Sequence, residues 1–284
     1  MKTILITGIN GFLGSSVAKR LVDNYKIVGT EYSLDNLTRL SGFNFDVYGA
    51  TKESYKKLFN ENKIDIVIHT ATFYGKENED ISKMLEANLL SPLYLLDSAI
   101  HNGCHLFINT DSALERYTSI YSLTKKQFLD WLKFRSNEMK VVNMRLEHFY
   151  GPGASNTNFI SLMLQKLLNN EPKIDLTPGE QKRDFIYYED VVDAYELAVN
   201  SINKLKDKYS HFEIGSGEAI TIKEVMLLMK QMTKSNTELN FAALPYRENE
   251  LMISEPNLDS IYNLGWKSKT NIKNGLKKTI EKIL

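Results

Sequence analysis

Tyr121 and Lys125 stand four residues apart in Tyr121-Ser122-Leu123-Thr124-Lys125, inside a stretch patterned as a helix to about Phe134. That spacing brings a phenol and an ammonium to one helix face. A neighbouring ammonium favours the phenolate, so such a pair can exchange a proton with an alcohol or a carbonyl near neutral pH. By itself the spacing is common, and an ordinary helix surface is its default reading. Its context is more telling. The apolar run before it ends Phe107-Ile108-Asn109-Thr110-Asp111-Ser112. A hydroxyl at the carboxyl end of a parallel strand, Thr110 or Ser112, is placed to hydrogen-bond a substrate oxygen.

A second group of residues suits a phosphate. Thr7-Gly8-Ile9-Asn10-Gly11-Phe12-Leu13-Gly14 directly follows one apolar run and opens an amphipathic segment. Glycines at this place allow a tight turn, close backbone approach to a pyrophosphate, and close packing of helix on strand. The helix N-terminus offers N–H groups and positive dipole to the same phosphates. Glu31 follows some 20 residues later, where a carboxylate accepts hydrogen bonds from an adenosine ribose and repels a 2′-phosphate. NAD is therefore favoured, with NADP open because Arg39 or a lysine could fold back. Asp46 fits either a cap on the adenine amino group or a helix start before Thr51.

These residues need a scaffold, and the first half of the chain supplies its pattern. Short β-branched runs (Thr3–Thr7, Ile27–Glu31, Ile64–Thr70, His105–Thr110, Val141–Leu146) alternate with helix-like stretches (Phe12–Asn24, Lys52–Asn60, Ile81–Ile100, Ser119–Phe134). Alternation of this kind marks βαβ units around a parallel sheet. The fold class expected is α/β, a Rossmann-like doubly wound parallel sheet with a smaller C-terminal mixed α/β lobe. Regularity stops at Tyr150-Gly151-Pro152-Gly153, which puts a dinucleotide-binding domain at 1–150 and a substrate lobe at 151–284. The chain is expected to cross back to the sheet around Arg183–Tyr188, with part of 183–205 returning to the first domain.

Composition removes several alternatives. Lys+Arg and Asp+Glu balance at 35 each, so no nucleic acid is called for as a partner. Cys104 is the only cysteine, which excludes a disulfide scaffold and points to a reducing compartment. The N-terminal apolar run is too short for a signal peptide, and no later run reaches membrane-span length. The expectation is a soluble cytoplasmic protein. The five histidines, at 69, 101, 105, 148 and 211, lack metal-ligand spacing, so no metal is expected.

Taken in order, the glycine turn, Ile66-Val67-Ile68-His69-Thr70-Ala71, Asn88, Tyr121-x-x-x-Lys125, Met144–Gly153, Arg183–Val192 and Leu264-Gly265-Trp266 resemble the extended short-chain dehydrogenases that act on nucleotide sugars, the epimerase/dehydratase family. Leu146–Gly153 with Asn109-Thr110-Asp111 is most similar to the reductases that form CDP-linked dideoxyhexoses such as abequose and paratose. The resemblance covers nearly the whole chain. It implies Tyr121 as acid/base, Lys125 as its partner, and Thr110 or Ser112 as the substrate-oriented hydroxyl. It further implies that Gly8, Asn10, Gly11, Phe12, Leu13, Gly14, Glu31, Asp46, Val47, Thr70, Ala71 and Asn88, with Tyr121 and Lys125, hold the dinucleotide. Asp111, His148, Arg183 and Arg247 would face a nucleotide-diphosphate sugar.

One departure bears on the reaction. Dehydratases of this family follow the strand hydroxyl with an Asp and then a Glu or Lys, whereas here Asp111 is followed by Ser112. The reading that results is a 4-keto sugar nucleotide reductase. A 4-epimerase that keeps its NAD bound is the rival, and a dinucleotide-sensing protein without chemistry is a third. Family members commonly pair through two long helices, so a homodimer is expected through Ile81–Ile100 and Ser119–Phe134, with Met84, Leu89, Leu93, Leu96, Phe128, Leu132 and Phe134 on the stripe.

Overall fold

A computed structural model describes residues 1–75, 80–248 and 250–284. The chain divides into two compact units, Met1–Arg145 with Val192–Phe212, and Leu146–Val191 with Glu213–Leu284.

The first unit opens β1 (Thr3–Thr7), α1 (Phe12–Leu21), β2 (Lys26–Glu31), β3 (Asp46–Gly49), α2 (Lys52–Glu61) and β4 (Ile66–His69). It continues through α3 (Ile81–Leu85), a π turn (Glu86–Leu90), α4 (Ser91–His101), β5 (Leu106–Ser112), α5 (Ile120–Arg135) and β6 (Lys140–Leu146). Within the expected helix Ile81–Ile100 the π turn is a departure. Pro92 has no N–H to give the carbonyl four residues back, so regular α bonding fails there.

The chain then forms β7 (His148–Tyr150), α6 (Phe159–Leu168), β8 (Lys173–Asp175), β9 (Lys182–Tyr187), α7 (Tyr188–Asn200), β10 (Tyr209–Ile214) and β11 (Ala219–Thr221). It ends in α8 (Ile222–Thr233), β12 (Glu238–Asn240), β13 (Ile253–Ser254), α9 (Asp259–Leu264) and α10 (Ile272–Ile283).

Seven strands make the main sheet in the order β10-β6-β5-β4-β1-β2-β3. The pairs β1/β2, β1/β4, β2/β3 and β4/β5 are parallel. β1 lies between β2 and β4, the place where a doubly wound sheet reverses its winding and binds ligands at its strand carboxyl ends. All five residues of β1 and all four of β4 are buried. Both faces of the sheet are covered, which explains their unbroken apolar runs. Leu5, Val28, Val67, Leu95, Phe107, Phe128 and Leu132 form the core on one face.

The second unit has its own core around Tyr150, Leu164, Phe185, Val225, Met229 and Leu276. Here the structure corrects the expected crossing. β9 pairs with β7, β11 and β13 rather than with the main sheet. The return to the first unit comes only at Val192 and runs to Phe212. Pairing with three separate strands cannot be read from one strand's composition. Of the stripe expected to meet a second copy, Met84, Leu96, Phe128 and Leu132 are buried and Leu89 and Leu93 pack on the core. Phe134 is exposed, beside the exposed Trp131. No helix among the described residues is long and apolar enough to cross a membrane.

Candidate active site

The glycine turn at the end of β1 is built so that side chains are excluded. Gly8 has φ +62°, and a Cβ there would lie 2.9 Å from Ala71 Cα. At Gly14 a Cβ would meet the Gly8 carbonyl oxygen at 2.2 Å and Thr70 Oγ1 at 2.8 Å. Gly11 donates its N–H to that same oxygen at 2.8 Å. Phe12 and Leu13 open α1, which has no side-chain cap and no acid in its first turn. A helix N-terminus left in that form suits an anion.

The loop after β4 is tied to this turn. Thr70 Oγ1 donates to the Thr7 carbonyl at 2.6 Å, and Thr7 Oγ1 accepts the Ala71 N–H at 3.2 Å and meets His69 Nδ1 at 2.8 Å. Glu31 sits beside the turn as well, accepting the Asn10 N–H on Oε2 at 2.9 Å. The Asn10 side chain accepts the Arg39 N–H at 3.1 Å and donates to the Asn36 carbonyl at 2.9 Å, bracing the segment after β2. Asp46 is exposed and opens β3, and Val47 on that strand pairs with Gly29. The helix-start reading of Asp46 is set aside, because Thr51 caps α2 by accepting the Ser54 N–H.

α5 begins where the sequence predicts. Ser119 and Ser122 form a reciprocal capping box, so Tyr121 lies in the first turn and Lys125 one turn on. The proton chemistry differs from expectation. Burial pushes the Tyr121 phenol well above its ordinary value, with Tyr74 and Asp111 acting the same way and Thr72 against them. Burial lowers the Lys125 ammonium to about 8, although Asp111 works to raise it. Desolvation is the largest of these influences, and Tyr121 holds its proton. His69, buried against Phe107 and Phe128, is held neutral by burial and by the nearby Lys125.

The strand-end hydroxyls are both engaged. Thr110 Oγ1 shares a 2.6 Å hydrogen bond with the fully buried Tyr195 hydroxyl of α7, and Ser112 Oγ accepts the Leu114 N–H at 3.1 Å. Asp111 is a correction. Expected to face substrate, it is buried in an ion pair with Lys126 at 2.7 Å, because a carboxylate inside the sheet needs a counter-charge. Asn88 is also committed within the protein. Its buried amide accepts the Phe73 N–H and donates to the Phe73 carbonyl, both at 2.8 Å.

In the second unit, His148 packs its ring on Phe185 and puts Nδ1 3.6 Å from the buried Glu147 carboxylate. Arg183 pairs with Glu250, and the Glu250 N–H donates to the Arg247 carbonyl at 3.0 Å. Arg247 itself is exposed. Sequence reasoning missed Lys126, Tyr195, Thr72 and Tyr74. A lysine doublet and two residues directly after Thr70-Ala71 were the available signals; Tyr195 had none. Among the described residues, no group of three or more His, Cys, Asp or Glu could hold a metal.

Comparison with known proteins gives the family. The profile of the NAD dependent epimerase/dehydratase family matches residues 4–215. A CDP-abequose synthase of Salmonella typhimurium is 30% identical, with 99% of this chain and 98% of the relative covered. A dTDP-4-dehydro-6-deoxyglucose reductase of Escherichia coli is 26% identical over 99% of this chain and 97% of the relative. Among solved structures, the UDP-glucose 4-epimerase of Thermotoga maritima, determined with UDP-glucose, superposes with a TM-score of 0.88 at 23% identity, covering 99% of this chain and 98% of that one.

Proposed function

Because the chain belongs to the NAD dependent epimerase/dehydratase family, we propose that it reduces the 4-keto group of a nucleotide-diphosphate-linked 6-deoxyhexose. One observation carries this reading: Tyr121 is a half-buried phenol kept protonated at the first turn of α5, one turn from an ammonium. Reduction of a carbonyl calls for a proton donor, and this is the form a donor must have. Dehydration calls instead for an acid after the strand hydroxyl. Asp111, which stands there, is occupied by Lys126. A reductase of a 4-dehydro-6-deoxy sugar nucleotide is also among the relatives.

The reduced coenzyme, NADH, would supply the hydride to the carbonyl carbon and be left as NAD+. The rest belongs to the chain. The Gly8–Gly14 turn and the start of α1 hold the pyrophosphate, and Glu31 accepts hydrogen bonds from the adenosine ribose. Tyr121 gives its phenolic proton to the carbonyl oxygen. Lys125 steadies the phenolate until solvent returns a proton. Arg183 and Arg247 would meet the sugar nucleotide's diphosphate, and His148 its sugar.

The test is turnover of dTDP-4-dehydro-6-deoxyglucose and its CDP counterpart with NADH. Stoichiometric loss of the dihydronicotinamide absorbance supports the reductase. Interconversion of 4-hydroxy sugar nucleotides by tightly held NAD, with no net coenzyme consumed, would replace it by the 4-epimerase that Glu31 also permits.

A further inference from the structure

Three consecutive residues after β4 converge on Tyr121. The middle one, Phe73, is gripped at both backbone groups by Asn88. Asn88 Nδ2 also reaches Thr124 Oγ1 at 3.3 Å, and Thr124 Oγ1 donates to the Tyr121 carbonyl at 2.9 Å. A single buried amide therefore bolts this segment to the first turn of α5. Its neighbours on either side both address Tyr121. The Tyr74 ring packs on the Tyr121 ring with centroids 4.8 Å apart and planes tilted by 35°. Thr72 carries its hydroxyl beside the Tyr121 phenol. That oxygen is buried and has no hydrogen-bond partner among the described residues.

A buried hydroxyl without a partner costs about 1–3 kcal/mol. Retaining one next to the reacting group makes sense if it is satisfied at another stage of the reaction. Of the hydroxyls expected for this work, Thr110 is shared with Tyr195 and Ser112 accepts the Leu114 N–H.

We propose that Thr72 is a positioning residue for proton transfer, its hydroxyl donating a hydrogen bond to the Tyr121 oxygen as the phenolic proton leaves. The inference rests on the reading of Tyr121 as proton donor. The proton passes from Tyr121 Oη to the substrate carbonyl oxygen, and the charge left on Oη is met by the Thr72 O–H and the Lys125 ammonium. No bond to Thr72 is made or broken. Asn88 and Tyr74 keep the two side chains in register.

Thr72→Val keeps the shape and removes only the donor, and Thr72→Ser keeps the donor. The first readout needs no sugar: ultraviolet difference titration of the NAD-loaded protein, with Tyr121→Phe identifying the Tyr121 step. Thr72→Val should move that step up by about one pH unit, and Thr72→Ser should leave it near wild type. The melting point of Thr72→Val should hold or rise, because an unpaired hydroxyl becomes a methyl. Thr72→Ala serves in its place if the valine variant fails to fold. In turnover, kcat of Thr72→Val should fall about 10- to 100-fold with little change in KM, serine restoring it. If Tyr121→Phe loses activity while Thr72→Val keeps both the titration step and kcat, the inference falls and the reductase reading stands. If Tyr121→Phe turns over like wild type, both fall.

Discussion

Lys126 Nζ lies 2.7 Å from Asp111 Oδ2, with the carboxylate 1% and the ammonium 14% exposed. Lys126 also donates to the Ser112 carbonyl at 2.8 Å, and Asn143 Nδ2 approaches the same carboxylate. Two adjacent lysines therefore have different tasks, one neutralising Asp111 and the next standing one turn from Tyr121. Removing one partner of a buried pair strands the other charge, at a cost of about 3–5 kcal/mol. Lys126→Met should lose stability on that scale in urea melts, and Asp111→Asn with Lys126→Met together should recover part of it. Additive losses would mean that the two groups do not depend on each other.

Tyr121→Phe leaves the ring against Tyr74 and removes only the phenolic hydroxyl. NAD affinity and melting point should stay near wild type, while turnover of a 4-keto sugar nucleotide falls roughly 100- to 10,000-fold. Calorimetry and a coupled assay on the same preparation separate the two effects.

Lys125 yields a pH prediction. Its folded value of about 8 lies below the ordinary 10.5, so the unfolded chain binds the proton more tightly. Below pH 8 the buried ammonium costs stability in full. Between 8 and 10.5 the folded protein releases the proton first and the cost fades. At 1.36 kcal/mol per unit this amounts to roughly 3 kcal/mol. Lys125→Met should therefore be more stable than wild type at pH 7, by a margin that closes as pH approaches 10.5, while its turnover drops. A Tm difference that stays constant across this range would show that the ammonium is not the source.

Glu31 accepts the Asn10 N–H and so shapes the glycine turn, and on the proposed reading it also binds the ribose. Glu31→Ala should weaken NAD binding and narrow the preference for NAD over NADP. Fluorescence titration of both reduced coenzymes measures it; tighter wild-type binding of NADPH than NADH would assign Glu31 to the turn alone.

A homodimer is expected through α4 and α5, where Trp131 and Phe134 stay exposed, 46% and 74%, with rings 6.1 Å apart. Light scattering should give twice the monomer mass at micromolar concentration, and Phe134→Lys should lower it.

What the sequence determined by itself is the part governed by local backbone rules. Gly8 and Gly14 are legible because no side chain fits a positive φ or an approach of 2.2 Å to a carbonyl. Ser119 with Ser122 starts α5 wherever the rest of the chain lies, and that fixes Tyr121 and Lys125 one turn apart. The buried strands declare themselves by unbroken apolar runs, which is why the order of the βαβ units was readable up to β6. Tertiary structure decided which polar side chains remain available. Thr110 meets Tyr195 across 85 residues of sequence, and Arg183 meets Glu250 across 67. Burial, which no spacing encodes, raises the Tyr121 phenol and so holds its proton in place. The same burial set Asp111 against Lys126 and left the Thr72 hydroxyl without a partner among the described residues. A side chain's free valences depend on what strand order and helix packing bring from far along the chain, and that is a property of the fold, not of any motif.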